Sequence, residues 1–178
     1  MCCGKLLAVD DFTLSSYSSF EAKIDIWKKE TDLFIDFSNI NGINEKFKND
    51  MEYLQNSLNL IQDELLWIEN NKNKIEEILL EENILELAEN IVSEGYLLRC
   101  SDEECYLLDD GSKVDFPINE ENFTKSIYIE SASINFDGKS IDLIELILLC
   151  SPDYFNGQSF IISIDKNKNI QFKGLEDF

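Results

Sequence analysis

The apolar positions of this chain change their period twice. Phe20, Ala22, Ile24 and Ile26 alternate with Glu21, Lys23 and Asp25, the period of a strand with one buried face. Lys28-Lys29-Glu30 reads as a turn, after which Leu33, Ile35 and Phe37 alternate with Asp32, Phe34 and Asp36. A short strand near Phe12-Thr13-Leu14 completes an antiparallel meander over residues 10–38. The period then lengthens. With Asn44 as its N-cap, a helix places Phe47, Met51, Leu54, Leu58, Ile61, Leu65 and Ile68 at spacings of four and three, so one of its faces is apolar throughout. The stripe runs on to Ile75 and Leu79 across Asn70-Asn71-Lys72-Asn73, a weak point where the helix is expected to bend. Ile84, Leu87, Ala88 and Ile91 fall on the opposite side of that register. This predicts a break near Glu81-Glu82 and a new helix opened by Asn83 and Glu86 as a capping box and ended by Gly95. Helices thus fill residues 44–94.

Residues 95–118 read as an irregular stretch or a small hairpin, with Tyr96-Leu97-Leu98 and Tyr106-Leu107-Leu108 flanking the polar turn Ser101-Asp102-Glu103-Glu104. A short helix over 119–126 has Asn119 as cap, Glu120 and Glu121 in its electropositive first turn, and Ile118 and Phe123 at the positions of a hydrophobic staple. Strands return over 127–174: residues 128–136, an Asp137-Gly138 hairpin turn, a longer and more buried run over 141–150, a break at Ser151-Pro152-Asp153, and a last hairpin around Lys166-Asn167-Lys168-Asn169. The order predicts a single α+β domain over 1–178, with a mainly antiparallel sheet built from the N- and C-terminal meanders and covered by long amphipathic helices.

Charge narrows the function. The 178 residues hold 36 Asp and Glu against 15 Lys and Arg, a net charge of −21, with no histidine. Such a surface repels nucleic acid and anionic membranes and attracts basic proteins. No stretch is long and apolar enough for a membrane span, and the apolar run after Met1 is too short for a signal segment, so the expected location is the cytosol. The odd count of cysteines (Cys2, Cys3, Cys100, Cys105 and Cys150) then argues for free thiols.

Candidate chemistry is sparse. Without imidazole there is no Ser-His or Cys-His pair and no His metal ligand. No glycine-rich phosphate loop or nucleophile elbow is present. Cys100 and Cys105 lack a second pair at zinc-site spacing, and ordinary thiols at a hairpin edge describe them better. Asp165 to Asn169 imitates the opening of a calcium loop, but Ile170 stands where that loop needs glycine. Carboxylates are so many that pairs arise at any spacing. We therefore expect no cofactor, no metal and no enzyme activity, and place contacts for a partner in the irregular segment: Tyr96 and Tyr106 among Asp102, Glu103, Glu104, Asp109 and Asp110.

The stretch from Asp153 to Asp165, with Phe155-Asn156-Gly157-Gln158 at its centre, resembles an uncharacterised bacterial domain family that has a Phe-x-Gly-His turn before its last hairpin. The resemblance is specific over residues 123–174, and Gln158 stands where the family has histidine. It implies an immunity-type protein that binds and inhibits a cognate toxin, here a basic protein. The alternatives from other classes are a structural domain that pairs with its own copy through the helical stripe, and an enzyme using carboxylates and a metal.

Overall fold

The computed structural model describes residues 6–15, 19–37, 46–100, 103–137 and 140–177; the side chains of 46–50, 99, 100 and 103 lie outside that description. The fold is α+β, as the pattern predicts. After a 3-10 turn (Val9–Asp11) come β1 (Thr13–Leu14), β2 (Phe20–Ile26) and β3 (Lys29–Asp36), then α1 (Lys46–Asn70), α2 (Lys72–Glu81) and α3 (Ile84–Ser93). They are followed by β4 (Tyr96–Cys100), β5 (Glu103–Leu107), β6 (Lys113–Phe116), α4 (Glu120–Ser126), β7 (Ile127–Asp137), β8 (Ser140–Cys150), β9 (Gln158–Asp165) and β10 (Ile170–Asp177). A seven-stranded sheet runs β1-β2-β3-β7-β8-β9-β10, and β4-β5-β6 form a separate three-stranded sheet. All pairs are antiparallel except β3 with β7, which lie parallel and join the two meanders. A parallel pair needs a crossover connection, and the helices with the small sheet supply it.

One face of the large sheet is the core. Phe20, Ala22, Leu33, Ile35, Ala132, Ile134, Ile144, Leu146, Phe160, Ile162 and Ile164 are buried there with Leu54, Leu58, Ile61, Ile68, Ile75 and Leu79 of the helical stripe. The stripe therefore packs inward. Met51, which the stripe places on the same face, is 37% exposed. Asn44 lies outside the described residues.

The helix breaks at Asn71 instead of bending. The Asn70 and Asn71 side-chain amides donate to the carbonyls of Leu66 and Trp67 (2.8 and 2.7 Å), closing α1 on its own last turn. Asn83 does not form the predicted capping box. It sits in the left-handed region (φ 59°) without a side-chain cap bond, and its N–H reaches the Leu80 carbonyl at 3.0 Å, so it closes α2. Asn119 does cap α4, accepting from the Asn122 N–H at 3.1 Å.

The helical layer is fastened to the tips of two hairpins. The first turns at Trp27-Lys28, both at positive φ, one residue earlier than the charge pattern suggests. There the Trp27 N–H donates to the Glu69 carboxylate (2.7 Å) and its indole N–H to the Ile68 carbonyl (3.3 Å). At the β9–β10 tip, Lys168 pairs with Glu64 and lies 5.0 Å from the Trp67 ring centroid. In that turn the Asp165 carboxylate accepts from the Asn167 and Asn169 N–H groups (2.8 and 2.9 Å), so the calcium-like motif is spent on a hairpin. Truncating a fully buried central residue, Ile162→Ala, should cost about 2–5 kcal/mol of stability in urea unfolding, against about 1 kcal/mol for Asn119→Ala, which loses only a cap.

Candidate protein-binding surfaces

Of the two readings of residues 95–118, irregular stretch or small hairpin, the hairpin is the one present, as β4–β5, and Lys113-Val114-Asp115-Phe116 adds an unexpected third strand to it. Its predicted contact residues separate. Tyr96 is 70% exposed and Leu97 beside it 49% exposed on the β4 edge. Glu104 and Asp109 are exposed. Tyr106 is buried, its ring 5.4 Å from that of Phe116 in an edge-on contact. Asp110 is exposed but engaged: its carboxylate accepts from the Ser112 N–H (2.7 Å) and the Asp153 N–H (3.1 Å), tying the sheet to the break after β8. Although desolvation pushes its pKa up, these bonds hold it below the usual carboxylate range. The stabilisation from this shift is complete above the unfolded-state pKa and is lost as pH falls through the lower folded value. Asp102 lies outside the described residues, as does the side chain of Glu103.

Beside this sheet a cleft of about 390 Å³ is lined by Lys113, Asp115, Asn119, Asn122, Lys125 and Tyr154, among others. Lys125, one of its two cations, is paired with Glu121. Among the described residues no group of three or more Cys, Asp or Glu side chains could hold a metal ion, and no helix is long and apolar enough to cross a membrane.

A second surface was not among the contacts expected from the sequence. The large sheet has a face opposite the helices, and strand register defines its rows. One row runs Lys23, Asp32, Ser131, Ile147, Ile161. The next runs Glu21, Phe34, Ser133, Glu145, Ser163, Gln171. A third runs Asp36, Asn135, Leu143, Asp165, while Tyr128 pairs with Leu149 towards the far end of β7. Phe34, Leu143, Ile147, Leu149 and Ile161 are half-buried, and none of them belongs to the core cluster or packs against it. Lys23, the lysine in these rows, lies between Glu30 (2.8 Å) and Asp32 (3.2 Å), so its charge is already matched. The readable signal was β8 itself: Leu143, Ile144, Leu146, Ile147, Leu148 and Leu149 break the alternation of a one-sided strand.

The expectation of free thiols holds for Cys150 and fails for Cys105, which is disulfide-bonded. An odd count guarantees one unpaired cysteine and says nothing against a pair among the others. Burial pushes the Cys150 thiol up to about 12. Folding therefore keeps it protonated, and the associated stability, full below the unfolded thiol pKa, is lost as pH rises from there towards 12. The Gln158 side-chain amide donates to the Asp177 carboxylate (2.9 Å) across the last hairpin. The turn before it has Asn156 and Gly157 at φ 53° and 85°, a conformation that glycine adopts without strain. Alkylation at pH 8 followed by mass spectrometry should leave Cys150 unmodified in the native protein and label it after denaturation; native labelling within minutes would contradict its burial.

The chain matches no protein-family model, no curated protein and no solved structure.

Proposed function

We propose that this is an acidic binding protein whose partner is a basic protein, and that its role is that of an immunity-type inhibitor which blocks a cognate toxin by direct contact. The observation that carries this reading is the charge: a surplus of 21 negative charges, displayed on ordered surfaces that also present apolar side chains. Charge alone serves solubility. Charge around exposed or half-buried apolar groups is the composition of a recognition surface, in which electrostatics steer the encounter and apolar contacts hold the complex.

The resemblance of residues 153–165 to an immunity-like bacterial family supports the narrower reading, with Phe155 and Tyr154 buried beneath the Asn156-Gly157 turn. We assign no catalytic step to the chain and place it in the cytosol with its target. A Cys105 disulfide that persisted in protein taken directly from its own cells would count against that compartment. The alternative of self-pairing through the helical stripe loses its surface, since Leu54, Ile61, Ile68, Ile75 and Leu79 are fully buried.

The test is co-expression with the product of the adjacent gene. A basic protein should co-purify at equal stoichiometry and lose its toxicity, and its affinity should fall by about tenfold or more as salt rises from about 0.05 to 0.5 M. A neighbour that is acidic, or a complex indifferent to ionic strength, would sink the proposal.

A further inference from the structure

A strand with apolar side chains on both sides belongs in an interior. In β8, Ile144, Leu146 and Leu148 meet the helices, while Leu143, Ile147 and Leu149 point the other way and pack against no part of the core. Something outside the core cluster is therefore expected to cover them.

A second copy is a poor occupant. A two-fold axis through the middle of this face would set the two Glu145 carboxylates against each other, since only residues on the axis meet their own equivalents, and like charges opposed across an interface are repelled. The face is instead complementary to a surface of lysine or arginine around an apolar centre. Its middle carries one carboxylate, Glu145, which is half-buried between Ser133 and Ser163 on the neighbouring strands and has no ion pair among the described residues. Serines are small, so they leave the carboxylate approachable where larger neighbours would cover it. Ile147 and Ile161 bound it on one side and Leu143 on the other. A charge ringed by apolar groups is the arrangement in which one partner cation becomes a central anchor. Size also fits. The strands from β2 to β10 span five spacings of about 4.8 Å, and seven residues along them cover about 23 Å, a flat area on the order of 500 Å² before side-chain relief. A standard interface takes roughly 800 Å² per partner.

We infer that the uncovered face of the seven-stranded sheet is the docking surface for the basic partner, with Glu145 receiving a lysine or arginine at its centre and Phe34, Leu143, Ile147 and Ile161 forming the apolar contact around it. This rests on the reading of the chain as a binder of a basic protein, and it moves the contact away from the three-stranded sheet, where Tyr106 is buried and Asp110 is engaged.

The test uses the full chain and a synthetic peptide of alternating Arg and Leu, followed by methyl NMR and titration calorimetry. Methyl signals of Leu143, Ile147, Leu149 and Ile161 should shift. Glu145→Lys should weaken binding about tenfold, and Glu145→Gln, which leaves the fold least disturbed, several-fold. Tyr96→Ala and Glu104→Lys should leave affinity unchanged, and an Arg-Ser peptide of equal charge should bind more weakly and shift none of these methyls. Binding that survives both Glu145 variants but is lost in Tyr96→Ala and Glu104→Lys overturns this inference and leaves the binder reading standing. Absence of salt-sensitive binding to either peptide overturns both. A dimer in sedimentation that Ile147→Ser dissolves would give the face to a second copy and overturn the inference as well.

Discussion

The architecture depends on how the helical layer is laid over one side of the sheet. The α1–α2 stripe supplies Leu54, Ile61, Ile68, Ile75 and Leu79, all fully buried, and is the longest apolar cover among the described residues, with α3 adding Ile84, Ala88 and Val92. A straight helix from 46 to 81 would leave a twisted sheet behind, since strands rotate against one another across a sheet. The break at Asn71 lets the second segment take its own direction while the stripe stays on the core side. Trp27 with Glu69, and Lys168 with Glu64, then fasten this layer at two hairpin tips. Neither link has to supply much energy. Their effect is to fix which surface of the sheet is interior and which remains outside.

Much of this was legible in the sequence, and the failures share a cause. Alternation placed Leu33, Ile35 and Phe37 inside, and the four-three stripe located α1 and its weak point, because both signals are local and periodic. Asn119 with Ile118 and Phe123 was readable for the same reason. Lys113–Phe116 was not recognised as a strand, because four residues are too few to show a period. The Trp27-Lys28 turn was displaced because neither residue announces a positive φ. Asn83 does open α3 as read, but its left-handed backbone leaves the capping box unformed, a conformation that asparagine tolerates and its identity does not announce.

The surface residues show the same division. Tyr96, Glu104 and Asp109 are exposed as the segment's polarity suggested, but Tyr106 is turned inward by strand register, which polarity does not report. The second face of the large sheet left its trace only in the consecutive apolar residues of β8 on either side of Glu145. Glu145 stands out there solely through pairings with β7 and β9 that no neighbouring residue encodes.

The parallel contact of β3 with β7 joins segments separated by about ninety residues. Closing so large a loop costs entropy before the pairing returns anything, so topology of this kind folds slowly. During synthesis the β2–β3 hairpin emerges before β7 and must wait, with one edge unpaired, until the ribosome has delivered that strand. Lys23, Asp25, Glu30, Asp32 and Asp36 crowd this nascent hairpin with charge. Charge along an exposed strand edge disfavours pairing with another chain, so the acidity of the early strands opposes misassembly while that edge is open.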